Sequence, residues 1–374
     1  MRPIVLALPV FAAVLAAAPA QAVEIIDPSR YQVTEIAAGL DHPWSIAFLP
    51  DGSMLVTERN AGLRVIRDGA LLPDPVANVP PTFVSGQGGL LDVVLHPDFA
   101  QNQTIYLTYS SGDDSASATT VARARYDAAA HALLDVAVIF SAYPTKDTPQ
   151  HYGGRMVFLP DGTFVLTLGD GFNFREQAQK LDSDLGKFVR LNADGSIPAD
   201  NPFVGREGAR GEIFTYGHRN PQAIVFNPLD GRIYAHEHGP QGGDEINLIE
   251  GGRNYGWPAI TYGLDYSGAI ITPYTELPGM EQPLHVWTPS IAPAGMSVYT
   301  GDLFAGWKGD LIVAALVSTD LRRIDMEGGK VVGEYSLLAE REERLRDVRM
   351  APDGALYVLT DEDDGKVLRV VPVE

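Results

Sequence analysis

Four short clusters in this 374-residue chain carry residue types that do chemistry. His151-Tyr152-Gly153-Gly154-Arg155 precedes one apolar run, and Asp170 follows the next, in Leu168-Gly169-Asp170-Gly171. After a single hairpin the two can meet, and a carboxylate on one ring nitrogen fixes the imidazole tautomer and raises its basicity, as a general base requires. In Gly217-His218-Arg219-Asn220-Pro221-Gln222, Arg219 can hold a carboxylate through two parallel hydrogen bonds. His236-Glu237-His238-Gly239-Pro240-Gln241-Gly242-Gly243-Asp244-Glu245, followed by Asn254-Tyr255-Gly256-Trp257-Pro258, is an oxygen-rich turn beside acids. Such a turn suits calcium, which accepts backbone carbonyls and carboxylates in loose geometry. The His-x-His within it lacks the third and fourth ligands that zinc needs. Glu343-Arg344-Leu345-Arg346-Asp347 puts both guanidinium groups on one face of an extended chain. In a chain of net charge −20, that pair points to an anionic ligand. Three of the clusters also have a plainer reading: a surface histidine with a turn aspartate for the first, a polar strand cap for the second, and surface salt bridges with nearby glutamates for the fourth.

The elements that must position these clusters follow one repeat, a turn feeding four or five β-formers. It is seen at Asp51-Gly52 before Ser53–Thr57, at Gln103–Thr108, at Asp161-Gly162 before Thr163–Thr167, at Asp230-Gly231 before Arg232–Ala235, at Gly309–Ala314 and at Asp353-Gly354 before Ala355–Thr360. Asp-Gly before apolar residues marks a tight turn into a strand. A proline marker precedes the strands at Leu49-Pro50, His96-Pro97, Leu159-Pro160, Asn227-Pro228 and Ala351-Pro352, and Ala292-Pro293 fills the one double gap. The units average about 59 residues against the roughly 40–45 of a minimal blade, so long loops are expected, at 110–150, 171–215 and 253–292. With no segment of helical period and length, the fold expected is all-β: one six-bladed β-propeller domain of four-stranded antiparallel blades. An irregular pair of β-sandwiches is the bland alternative.

Bulk composition narrows the function. Arg2, the apolar run Ile4–Ala18 and Ala20-Gln21-Ala22 have the layout of a secretory signal peptide, so cleavage after Ala22 and a periplasmic or secreted protein are expected. No later stretch approaches the roughly 20 apolar residues of a membrane anchor. The chain has no cysteine, which excludes disulfides, cysteine zinc sites, thiol nucleophiles and iron–sulfur clusters. Its 48 acidic against 28 basic residues repel nucleic acid and anionic lipid. No dinucleotide fingerprint, P-loop or nucleophile elbow is present.

At the four clusters, and at Gly39-Leu40-Asp41-His42-Pro43-Trp44 and Gly86-Gln87-Gly88-Gly89-Leu90-Leu91-Asp92, the sequence resembles the soluble quinoprotein aldose sugar dehydrogenases, relatives of soluble glucose dehydrogenase. The resemblance runs from about Val33 to Val371 and keeps the family's motif order. It implies a six-bladed propeller that uses pyrroloquinoline quinone (PQQ) and calcium to oxidise aldoses at C1 to lactones. His151 then matches the general base and Asp170 the carboxylate that orients it. Arg219, Arg344 and Arg346 match cofactor-binding groups, and Asn220 and Gln222 lie in the same motif. Gly239 and Pro240 match carbonyls that hold the active-site calcium beside the quinone. Glu245 and Tyr255 resemble a second, structural calcium site. Gln87 matches a residue near the sugar. The implied partners are a small aldose and an external electron acceptor, in a monomer or weak dimer.

Two positions depart from that pattern. Val317 stands where family members commonly carry a lysine, and Gln150 precedes the base where the glucose dehydrogenase branch has aspartate, which points to the broader aldose branch. Two other readings stay open: a calcium-dependent lactonase, which needs acidic metal ligands at the axis and has no use for Arg344 and Arg346, and a non-catalytic propeller that binds glycan or protein.

Overall fold

The computed structural model describes residues 23–60 and 62–373, so the expected signal peptide lies outside the described residues. The Asp-Gly turns form as their chemistry dictates. Asp51, Asp161, Asp230 and Asp353 each accept the backbone N–H two residues on, at 2.9–3.0 Å. The following glycines take positive φ of 73–85°, a region nearly free of cost only without a Cβ.

Each of the six repeats becomes the second strand of a four-stranded antiparallel blade, and blade 5 gains a fifth, two-residue strand, Glu24–Ile25, which pairs in parallel with Lys330–Leu337. Blade 1 opens with the inner strand Pro43–Phe48 and second strand Met54–Glu58, blade 2 with Leu90–Leu95 and Thr104–Asp113, and blade 3 with Met156–Phe158 and Thr163–Leu168. Blade 4 opens with Pro221–Asn227 and Arg232–Glu237, blade 5 with Pro293–Val298 and Leu311–Ala315, and blade 6 with Leu345–Met350 and Leu356–Thr360. Second strands read as apolar runs because both faces are covered by neighbouring blades: Met54–Glu58 and Leu311–Ala315 are buried throughout. Six apolar clusters hold the ring, one at each interface between blades 1 and 2, 2 and 3, 3 and 4, 4 and 5, 5 and 6, and 6 and 1. The ring is closed by the N-terminal strand Tyr31–Leu40, which pairs with Gly365–Pro372 as the outer strand of blade 6. No helix among the described residues is long and apolar enough to cross a membrane.

Two details differ from the sequence expectation. Ala292-Pro293 opens the inner strand of blade 5 instead of closing it, and the equivalent turn is Tyr299–Asp310, packed on the stacked rings of Phe304 and Trp307 (4.3 Å). The segment 110–150 is largely strand, since blade 2 has unusually long strands at Ala116–Asp127 and Ala132–Ser141. By contrast 253–292 is mostly loop, interrupted by the short outer strand His285–Trp287 of blade 4.

Candidate active site

Antiparallel pairing sets the start of each inner strand beside the end of the second strand, so these two positions from six blades share one face of the ring. All the chemically interesting residues come from there. His151, Arg219 and Arg344 precede inner strands, whereas Asp170, His238-Gly239-Pro240, Val317 and Asp361 follow second strands. They surround an axial cavity of about 270 Å³ lined by Arg59, Gln87, Asn220, Gln222, His238, Val317, Arg344, Arg346 and Asp361, with Trp44, Leu91 and Tyr152 packed together in its wall.

On the blade 3 side, the expected hairpin contact is made. Nδ1 of His151 lies 2.7 Å from Oδ1 of Asp170. That oxygen also accepts the Phe172 amide, and Oδ2 accepts the indole N–H of Trp257, both at 2.7 Å. Asp170 is fully buried and His151 is 4% exposed. The turn holding the base is strained: His151 has φ 51°, a conformation costing a non-glycine residue about 1–3 kcal/mol and often retained at functional sites. The His151 amide donates to Oε1 of Gln87 at 2.8 Å, so Gln87 supports the His151 turn as well as lining the cavity. A Cβ at Gly169 would collide with the His151 backbone, which explains the glycine before Asp170. Burial pulls the His151 pKa below its ordinary 6.5, against the raising effect of Asp170 and with help from the charges of Arg219 and Lys146. The ring is therefore neutral near pH 7. With Nδ1–H assigned to Asp170, Nε2 is the acceptor, and it makes no hydrogen bond among the described residues.

The blade 6 side is built from charge. Arg344 and Arg346 do face the same way, and Nη2 of each lies 3.0 Å from Oδ2 of Asp361. Burial pushes the Asp361 carboxyl up, but Arg346 and Arg344 outweigh it and hold the group below the usual carboxylate range. Arg59 adds a third guanidinium from blade 1. Burial lowers its pKa, Asp361 only partly restores it, and Arg346 and Arg344 repel it. Three cations against one carboxylate make this wall positive in a strongly acidic protein.

On the blade 4 side, Nη1 of Arg219 donates to the carbonyls of Gly239 (2.7 Å) and His238 (3.2 Å). Its amide donates to Glu237, whose other oxygen meets Nδ1 of His218 at 2.9 Å. Nε2 of Gln222 donates to Oδ1 of Asn220 at 3.1 Å. His238 bonds the Pro293 carbonyl at 2.7 Å while its partner in the His-x-His pattern, His236, is buried with neither ring nitrogen bonded. A small void of about 20 Å³ is lined by Glu237, Gly239, Gly243 and Glu245. Burial and the neighbouring Glu237 push Glu245 well above its ordinary pKa. Tyr255 is committed elsewhere: its hydroxyl donates to the Leu248 carbonyl at 2.7 Å, accepts the Glu250 amide at 2.9 Å, and its ring stacks on His218. Any ligand atom it offers is its main-chain carbonyl. Pro240 lines a neighbouring cavity of about 350 Å³ with Phe172, Arg219, Trp257 and Tyr266, and Phe172 meets the His151 ring edge-on at 5.1 Å.

Sequence reasoning did not assign Arg59, His238, Asp361 or Trp257. Position gives the missing signal for the first three, because each directly follows a second strand, as the more readily noticed Asp170 nearly does. Trp257 had none, since it reaches Asp170 from 87 residues away.

Fold and site define a propeller with one axial cavity, a buried histidine–aspartate pair on one wall and a cluster of three arginines on the other. A family model described as Glucose / Sorbosone dehydrogenase matches residues 40–369, and the chain belongs to that family of oxidoreductases. It is 44% identical to the aldose sugar dehydrogenase YliI of Escherichia coli (strain K12) over 349 residues, 92% of this chain and 94% of that one. It is 29% identical to quinoprotein glucose dehydrogenase B of Acinetobacter calcoaceticus over 421 residues, 89% of this chain and 87% of that one. Among solved structures, the apo-form of the soluble aldose sugar dehydrogenase from Escherichia coli matches with a TM-score of 0.89, covering 92% of this chain and 100% of that one. The PQQ-bound form of the aldose sugar dehydrogenase from Streptomyces coelicolor, 28% identical, matches with a TM-score of 0.75 over 92% of this chain and 99% of that one.

Proposed function

We propose that the protein is an exported PQQ-dependent aldose sugar dehydrogenase, one propeller domain after cleavage at Ala22, that oxidises aldoses at C1 to lactones with calcium assistance and passes electrons to an external acceptor. The observation that carries this reading is the neutral His151, held by Asp170 with Nε2 free, beside a cavity whose opposite wall holds Arg59, Arg344 and Arg346.

The residues present fit the implied groups. A carboxylate-rich cofactor answers the unbalanced charge of the arginine wall, and Asn220 and Gln222 offer neutral hydrogen-bonding groups beside it. The Gly239 carbonyl already faces a cation, the Arg219 guanidinium, and so suits a calcium ion together with Pro240. Glu245, raised by burial next to Glu237, fits the second calcium site, with the carbonyl of Tyr255 as a further ligand. The third cation of the cavity is Arg59 and not a residue of blade 5, where Val317 is 62% exposed at the rim.

When bound, the quinone supplies the two-electron acceptor that the side chains of this chain lack. The chain's own residues handle the proton. Nε2 of His151 takes it from the anomeric hydroxyl, and Asp170 stabilises the imidazolium that forms. Gln87 lines the cavity, and Gln150 directly precedes His151. The absence of a carboxylate at Gln150 favours breadth among aldoses over strict glucose specificity. A lactonase needs acidic metal ligands at the axis, and Asp361, the one acid lining the cavity, is committed to two arginines. The test is dye-linked aldose oxidation by purified protein with and without added PQQ and calcium, with the product identified by NMR. Activity that needs both and yields the C1 lactone is expected; oxidation independent of the quinone would sink the reading.

A further inference from the structure

We propose that Lys146 is a positioning residue for the base, its buried ammonium acting as the core around which the 147–151 turn is wound so that His151 is presented in one orientation. This inference rests on the reading of His151 as the base. Lys146 is 3% exposed, and among the described residues no carboxylate lies within salt-bridge distance of it. Its Nζ instead donates to the carbonyls of Thr148 at 2.6 Å and Gln150 at 2.8 Å, the second belonging to the residue before His151. It sits 3.3 Å from the centroid of the Tyr152 ring, the residue after His151. The ammonium therefore grips the turn on both sides of the base.

The surroundings give this grip a reason. The Lys146 backbone is pinned to the third strand of blade 2 by paired hydrogen bonds with Ser117, at 2.8 and 2.9 Å. Ser117 also bonds the Tyr152 hydroxyl at 2.9 Å, and Thr119 donates to the Tyr152 carbonyl at 2.6 Å. The turn is thus fixed to blade 2 at its ends, while its middle, Thr148 to Gln150, is held by the ammonium together with two further bonds, from the Gln87 amide to the Pro149 carbonyl (2.8 Å) and from the Thr148 hydroxyl to the Gly171 carbonyl (2.6 Å). A lysine buried on carbonyls and one aromatic face is costly unless it is used, since desolvation lowers its pKa to about 7. Without the tether, a residue at φ 51° such as His151 has every reason to relax.

A structural role alone would not move the protonation of His151; a charge in this position does. The groups facing the pair are Asp170 and Asp147, which favour the ammonium, the hydroxyl-bearing ring of Tyr152, Arg219, which with Lys146 disfavours an imidazolium, and His238, whose ring burial keeps uncharged near neutrality. Phe172, Gln87 and Trp257 are neutral. Removing the Lys146 charge must therefore raise the pKa of His151, and the acid limb of activity moves to higher pH.

The experiment compares Lys146→Met and Lys146→Gln with the wild-type protein in two readouts. In apo protein, histidine side-chain NMR follows the tautomer and titration of His151, with no dependence on cofactor. In holoenzyme, steady-state kinetics follow kcat, KM and the pH profile. The expected result for Lys146→Met is a His151 midpoint raised by about half a pH unit, kcat reduced about tenfold and KM within about twofold. Glutamine, which keeps N–H donors for the two carbonyls, restores part of kcat without restoring the midpoint. The proposal is overturned if the His151 resonances and kcat are unchanged, if kcat falls only in step with lost folded protein, or if neither variant folds. A His151→Ala control in the same assay keeps the two ideas separate: retained activity there defeats the base assignment, whereas the NMR shift judges Lys146 on its own.

Discussion

On the blade 3 side of the axial cavity, every polar group around His151 is already spent: both Asp170 oxygens are bonded, the His151 amide is taken by Gln87, and only Nε2 is left open. On the blade 6 side the balance is reversed, with Arg344 and Arg346 sharing Asp361 and Arg59 beside them, repelled by both. The first wall is complete without a ligand. The second becomes electrostatically satisfied only when an anion joins it. The difference teaches where each function is stored. On the function proposed above, proton transfer is preorganised in the fold, while cofactor affinity is held as uncompensated charge.

That contrast makes the two walls separable by mutation. The largest expected effect is that of His151→Ala, which should lower kcat by about 10²- to 10⁴-fold, the usual worth of a positioned general base, while quinone affinity measured by calorimetry stays unchanged. Arg344→Ala or Arg346→Ala should do the opposite. Each loses charge-assisted hydrogen bonds worth about 1.5–3 kcal/mol, so the quinone Kd rises about 10- to 100-fold while kcat at saturation is nearly kept. Were the arginine variants to lose kcat at saturating quinone, the separation of the walls would break. Trp257→Phe, which removes one hydrogen bond to Asp170, should reduce kcat by about tenfold or less with no change in quinone Kd, as seen in the same pair of measurements.

The pH profile sharpens the same comparison. His151 must be neutral to act, and its pKa lies below 6.5, so kcat/KM should be flat near neutrality and fall as pH drops through that lowered value. Asp170→Asn removes the influence that raises the pKa, so its acid limb should move to still lower pH even as the rate falls. The smallest expected effect is on stability. Calcium should raise the Tm of the wild-type protein by a few degrees through its preference for the folded state, and Glu245→Gln should abolish most of that rise in a thermal melt.

How much of this was legible in the sequence differs between the same two walls. The Asp-Gly turns located the second strand of four blades, 1, 3, 4 and 6, because their signal is local: an aspartate, a glycine at positive φ and the strand that follows. The His151–Asp170 pair was legible for a related reason, since one hairpin joins its members. Arg344 and Arg346 could be read from alternation along one strand. Arg59 is marked only by its place directly after a second strand, because it meets Arg346 only when blade 1 closes against blade 6. Trp257 arrives on a long loop from blade 4, and the mistaken reading of Ala292-Pro293 shows that a proline marks a strand boundary without saying which end. Local chemistry is written in the sequence; the contacts that close the ring are not.

The most direct test of the account is a calorimetric titration of PQQ into apo wild-type protein and His151→Ala in the presence of calcium, followed in each sample by addition of an aldose and an electron-accepting dye. The account predicts equal quinone binding by the two proteins and dye reduction only by the wild type. Absence of quinone binding by the wild-type protein, or dye reduction by His151→Ala at the wild-type rate, would contradict it.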